Sequence, residues 1–213
     1  ALQSLPKERP NMTTLGGKTV FGASVGIPFY LLYTPDEMGG THHINTDMVM
    51  KLIDKLPNFS GVVDVSHDWQ FMINIVSNAW RKNPAFQLLA GSEYMVSAGA
   101  VGASSVFTSL SAVAPRLVKS LHDICRTERY FDARAMQEDL TALYQIVKRA
   151  GDGGLKGAMR ARGRDCGQPR APLDPLQAEG YATLVAEMAC MHAHSVLEQS
   201  RLQKSGNSRL RDA

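Results

Sequence analysis

Short apolar runs alternate with longer stretches of 3.6-residue periodicity along the first half of the chain. Ile27–Tyr33 (IPFYLLY) is continuously apolar, as a strand covered on both faces is. Pro35 and Gly39-Gly40 end that run. Asn45 or Thr46 is placed to cap a helix that carries Met48, Val49, Leu52, Ile53 and Leu56 on one face and stops at Pro57-Asn58. A second β-rich run, Ser60–Val65 (SGVVDV), precedes a helix over about Asp68–Lys82. Its apolar stripe is Met72, Ile75, Val76, Ala79 and Trp80, and Asn83-Pro84 closes it. A third strand, Phe86–Ala90 (FQLLA), leads through Gly91 to a short apolar helix near Glu93–Ala98. The fourth, Ala103–Phe107 (ASSVF), follows Gly99 and Gly102, and Pro115 suits the first turn of a helix through Cys125. Four strand–helix units in succession predict parallel strands joined by right-handed crossovers.

After about residue 130 the strands stop. Phe131–Arg149, Gly154–Arg162 and Gln177–Leu202 read as helices, interrupted at Gly151–Gly154 and at the Pro- and Gly-rich Cys166–Pro175. Residues 1–26 contain Pro6, Pro10, Gly16, Gly17 and Gly22 without a sustained period and read as an extended arm. The predicted plan is an arm (1–26), a partial α/β barrel (27–130), a helical region (131–204) and a polar tail (205–213).

Composition narrows the function classes. At 213 residues, with 44% hydrophobic and 20% charged positions, the chain has the make-up of a soluble globular protein. A net charge of +3 is too mild to argue for nucleic acid. The basic stretch Lys156–Arg170 reads as a solvated helix end and loop. No run approaches the length of a membrane span. Cys125, Cys166 and Cys190 are odd in number and far apart, which suits reduced thiols in an intracellular, reducing compartment. Ala1 in place of an initiating Met is compatible with removal of a presequence, as in entry to the mitochondrial matrix, or with an arbitrary boundary. Adjacent His42 and His43 diverge in an extended loop, and His192 and His194 cannot share a helix face. No metal site and no cofactor are expected. Asp68, after His67, is expected to cap a helix.

Five segments in fixed order carry a resemblance. They are Tyr33-Thr34-Pro35, PNFSGVVDVS at Pro57–Ser66, LLAGSE at Leu88–Glu93, GAVGASSVFTSLSAVAP at Gly99–Pro115, and GLKGAMRARGRDCGQPRAPLDPL at Gly154–Leu176. Their order and spacing resemble the pyruvate-dependent class I aldolases: dihydrodipicolinate synthase, N-acetylneuraminate lyase and 4-hydroxy-2-oxoglutarate aldolase. The resemblance covers roughly residues 27–199. It implies a TIM-type (β/α) barrel of which about the four C-terminal βα units are present, followed by a C-terminal helical extension. Tyr33 then falls at the end of the family's fifth strand. The first four units, with the family's paired-threonine region, have no counterpart in the residues ahead of it.

The resemblance also implies a site. Class I aldol chemistry needs an amine that forms an imine with a keto acid, and the protonated imine serves as an electron sink. In the family that lysine follows a Gly and an aliphatic residue on the sixth strand. The matching residues here are Gly61, Val62 and Val63, so Val63 stands at the Schiff-base position and offers no nucleophile. Lys51, Lys55 and Lys82 fall on outer helices, and Lys119, Lys148 and Lys156 in the helical end. Lys18, in the arm, is the one lysine with reach to a barrel mouth. Tyr33 matches the family's proton-relaying tyrosine, though it suits a strand-end aromatic equally well. Asp36 and Glu37 stand where some members hold a carboxylate-binding arginine. Tyr33, Gly91, Ser104 and Ser105 are the candidates for residual ligand binding, with Thr108 and Ser109 near the last two. No catalytic residue is assigned.

Three function classes follow. The first is a catalytically inactive aldolase-family homologue acting as a structural or interaction subunit of a larger assembly or homo-oligomer. The second is an aldolase or lyase using another amine, or completed by a separate chain. The third is a keto-acid-binding sensor. Partners are expected to be other protein chains. A partial barrel of four βα units is expected to turn Leu31, Val62, Leu88 and Val106, or their immediate neighbours, to the inward faces of the strands.

Overall fold

The computed structural model describes residues 27–35, 44–91 and 93–191. The expected arm, His42 and His43, Asp36 and Glu37, Lys18, His192 and His194, and the tail lie outside the described residues. Four strands are present among the described residues: β1 (Phe29–Tyr33), β2 (Phe59–Asp64), β3 (Gln87–Ala90) and β4 (Ser105–Val106). They form one sheet in the order β1-β2-β3-β4, every neighbouring pair parallel. That is the arrangement the alternating pattern predicts.

Between them lie α1 (Thr46–Lys55), α2 (Trp69–Lys82) and α3 (Met95–Ala100). Asn45 caps α1 by accepting a hydrogen bond from the Met48 N–H at 2.9 Å, and Asp68 caps α2 by accepting from the Phe71 N–H at 3.0 Å. Each cap satisfies a donor that the first turn leaves without an intrahelical partner. After β4 come a 3-10 turn (Ser109–Ala112), α4 (Pro115–Arg126), α5 (Tyr130–Arg149), α6 (Gly154–Ala161) and a helix at 178–191, α7. None of the helices is long and apolar enough to cross a membrane, among the described residues.

The chain divides into two compact units. One comprises the described residues through Gly91 together with Ser97–Phe107; the other comprises Glu93–Val96 and everything from Thr108 onward. In the first unit, one face of the sheet packs on α1 and α2. Val49, Leu52, Val62, Met72, Ile75, Ala79 and Leu88 are all buried there. In the second, Leu121, Leu140, Leu143, Ala158 and Leu184 are buried. Arg164 donates to the Val113 carbonyl at 3.0 Å, and the Arg160 guanidinium stacks 3.5 Å over the Tyr181 ring.

The structure revises three details and chooses between the alternatives at a fourth. β4 has two residues rather than five, because the β3 ladder offers it only Leu89 and Ala90 before Gly91. The short helix starts at Met95, two residues later than the pattern suggests. Trp80 does not join the buried stripe of α2; it is 45% exposed and donates its indole N–H to the Phe86 carbonyl. Leu31, Val62, Leu88 and Val106 pack with the helix-facing core, and it is their strand neighbours that form the other face. Strand alternation dictates this last point, since a one-residue step exchanges the two faces.

Candidate functional site

Register sorts the strand residues into rows that cross the sheet. One row is Tyr30, Gly61, Gln87. The next on the same face is Leu32, Val63, Leu89, Ser105. Between and beyond them, on the helix-facing side, run Leu31, Val62, Leu88 and then Tyr33, Asp64, Ala90, Val106. The Leu32 row is therefore the last one on the open face before the C-terminal strand ends, the end at which barrel active sites are built.

Val63 lies in the middle of that last row, flanked by Leu32 and Leu89. Leu32 is 51% exposed, and Val63 and Leu89 are half-buried. Gly91 adjoins it: a Cβ on Gly91 would overlap the Val65 side chain and lie 3.3 Å from Val63 Cγ1. Ser105 ends the row, half-buried. Ser104 is exposed, and its hydroxyl and its N–H both donate to the Leu88 carbonyl, at 3.1 and 2.8 Å. Of the residues that the sequence singles out, Val63, Gly91 and Ser105 thus come together on one face.

Tyr33 does not join them. Its ring is buried in the helix-facing layer, with its centroid 5.3 Å from that of Phe71. Burial raises its pKa above the usual phenol value, and the neighbouring Asp64 carboxylate raises it further.

Asp64 is the residue that sequence reasoning did not single out. It is 2% exposed. One carboxyl oxygen accepts from the Ser66 N–H at 2.9 Å; the other, Oδ2, is buried without a hydrogen-bond partner. Desolvation pushes its pKa up, and the hydrogen bonds from Ser66 act in the opposite direction. Ser66 in turn accepts from the Asp68 N–H at 3.1 Å, so Asp64, Ser66 and Asp68 together fix the corner from β2 into α2. His67, between them, has φ +57°, a left-handed conformation that is uncommon for a residue with a side chain. Strand alternation says that Asp64, two residues after Val62, shares its face; which face is the buried one is decided by the register.

Chemically, the open face is aliphatic and aromatic with one amide, Gln87, and two hydroxyls, Tyr30 and Ser105. Its rows contain no Lys, Arg, Asp, Glu, His or Cys. Among the described residues no group of three His, Cys, Asp or Glu side chains is placed to hold a metal ion. The rows offer packing surface, and at Val63 no group that adds to a carbonyl.

A parallel βα sheet with this last row on its open face defines a barrel-type α/β protein. The family is then given by comparison with known sequences: residues 18–190 match the model of the dihydrodipicolinate synthetase family, and the chain belongs to that family. A protein of Halobacterium salinarum described as an uncharacterized DapA-like lyase is 30% identical over 169 residues, which is 78% of this chain and 53% of that protein. The chain thus spans about half the length of the curated relatives it matches. Solved structures agree on the fold. The 4-hydroxy-tetrahydrodipicolinate synthase of Methylacidiphilum fumariolicum superposes with a TM-score of 0.74 at 22% identity, over 87% of this chain and 60% of that one. A 2-keto-3-deoxygluconate aldolase variant of Sulfolobus solfataricus gives 0.73 at 18% identity, over 85% and 60%.

Proposed function

We propose that this chain is a member of the dihydrodipicolinate synthetase family without class I aldol chemistry, and that it serves as a structural or interaction subunit. The observation that carries the reading is Val63. By the resemblance of Gly61-Val62-Val63 to the family's sixth strand, Val63 stands where the imine-forming lysine is expected, and the register puts Leu32 and Leu89 on either side of it. An aliphatic side chain cannot add to a keto acid, and no amine stands in the rows around it. Without the amine there is no electron sink, whatever else the site retains.

The open face supports the second half of the reading. Leu32 is 51% and Tyr30 41% exposed, and Ile27, just ahead of β1, and Phe107, just past β4, are 66% and 69% exposed. Leaving a large apolar side chain wet forgoes about 1.5–3 kcal/mol of burial, against a total stability of roughly 5–15 kcal/mol for a domain. A surface of that kind marks a contact with other polypeptide.

The test is borohydride reduction in the presence of pyruvate, followed by intact-mass measurement. The expected result is an unmodified chain. A stoichiometric, permanent adduct of reduced pyruvate would sink the proposal and establish an imine-forming amine elsewhere in the chain.

A further inference from the structure

We infer that the corner from β2 into α2 is a proton-operated latch: with the Asp64 carboxyl protonated the corner is closed, and on ionisation Ser66–Asp68 lifts and the first turn of α2 loosens with it. The corner stands at the C-terminal end of the strands, so its state sets the outline of that end.

Three observations place the moving part there. The first is the carboxyl itself. Asp64 is buried, its Oδ1 accepts from the Ser66 N–H at 2.9 Å, and no group donates to the buried Oδ2. A neutral carboxyl suits that place, because one oxygen carries the proton. A carboxylate is costly to bury when it is neither paired nor fully hydrogen-bonded. Burial accordingly outweighs the opposing hydrogen bonds from Ser66 and raises the pKa.

The second is the way the chain is held. Asp64 lies on an inner strand, paired with β1 on one side and β3 on the other. Its carbonyl accepts from the Gly91 N–H at 2.8 Å, and the Val65 N–H donates to the Tyr33 carbonyl at 3.0 Å. Past Val65 the ties change kind. The Ser66 N–H donates to the Asp64 carboxyl, the Asp68 N–H to the Ser66 hydroxyl, and the Phe71 N–H to the Asp68 carboxyl. The strand is thus pinned by backbone bonds, whereas the corner runs through three side chains in series, of which Asp64 is the first. His67, inside that series, has φ +57°. A residue with a Cβ keeps such a backbone only while its surroundings hold it there. His67 and Asp68 are exposed, so the corner is the part whose lifting admits water to the carboxyl.

The third is charge. The titratable groups around Asp64 are the Tyr33 phenol, its register partner on β1, and Asp68 and His67 on the corner. β3 presents Ala90, Ile44 ahead of α1 is apolar, and α2 opens with the uncharged Trp69, Gln70, Phe71 and Met72. Tyr33 and Asp68 do not compensate a carboxylate, and His67 has the weakest influence of these groups on Asp64. No fixed cation faces Asp64 among the described residues, so its ionised form gains more from water than from the closed corner.

The experiment is amide hydrogen exchange on the full chain, read by NMR across the acid-to-neutral range and corrected for the intrinsic rate at each pH. Opening releases the Asp64 proton. It therefore rises between the ordinary carboxyl value of 3.8 and the raised folded-state value, by at most about tenfold per pH unit, and is level above it. The amides of Phe71 and Met72, which donate to Asp68, are expected to lose protection in that way, while those of β2 and α5 keep theirs. Asp64→Asn is expected to remain protected at every pH. His67→Asn, which keeps a residue tolerant of the left-handed backbone, is expected to retain the loss. A wild type whose protection does not change with pH overturns the inference. So does a loss that persists in Asp64→Asn, disappears in His67→Asn, or is shared equally by β2 and α5. If Asp64→Asn does not fold, titration of the wild-type carboxyl carbons by NMR decides: an aspartate whose midpoint matches that of the exchange supports the latch, and the lack of any match overturns it.

Discussion

At the scale of single residues, two positions govern the first unit. Gly61 is required by space: a Cβ there would overlap the Gln87 carbonyl oxygen and stand 2.7 Å from the Tyr30 ring. Neither the backbone of β3 nor a ring held by its own hydrogen bond yields cheaply. Gly61→Ala is expected to lower stability by about 2 kcal/mol or more, in line with overpacking of well-packed sites, read as a fall in the urea midpoint. Asp64 governs by charge. Burial raises its folded-state pKa above the ordinary carboxyl value of 3.8. The folded chain therefore holds this proton more tightly than the unfolded chain. The stability linked to it is complete below about pH 3.8 and is lost as pH rises through the folded-state value. Asp64→Asn cannot ionise, so the fall in stability between pH 4 and 7 is expected to be shallower in the variant, measured as urea midpoints across that range. Equal slopes in the two proteins would show that the carboxyl is not linked to folding.

At the scale of elements, the α2 cap is the simplest lever. Asp68→Ala removes the acceptor for the Phe71 N–H and is expected to cost about 1 kcal/mol. Val63→Lys tests the last row of the open face. The new amine would sit between Leu32 and Leu89, while Tyr33 remains buried on the other side of the sheet. Aldol turnover needs a carboxylate clamp and a proton relay held to within about half an ångström. No turnover of pyruvate-derived aldols is expected from this variant. Much of this architecture was legible in the sequence, because continuous apolar runs such as IPFYLLY and capped 3.6-residue stripes such as Met72-Ile75-Val76-Ala79 are local signals. The facing of the strands was not. Leu31 and Leu32, or Val62 and Val63, are equally apolar, so composition does not say which of each pair meets the helices. The buried state of Asp64 was hidden for the same reason. Only the register, which depends on partners distant in sequence, separates the two faces.

At the scale of the molecule, the second unit contains a run, 162–177, that is exposed at almost every residue and carries Arg162, Arg164 and Arg170. Arg164 is tied to Val113, and Lys156 holds the loop by donating to the carbonyls of Cys166 and Gln168, at 3.3 and 2.7 Å. Arg170 lies beyond both ties. Brief trypsin treatment is expected to cut first after Arg170 within the described residues, read by the masses of the fragments, because proteolysis concentrates at exposed loops with few backbone constraints.

The sheet's plain order, β1-β2-β3-β4, has a consequence for synthesis. Among the described residues, each strand after β1 pairs with the one that left the ribosome just before it. Loop closure stays short at every step, which keeps the entropic cost of each pairing small. The first unit can thus accrete in the direction of translation, one βα unit at a time.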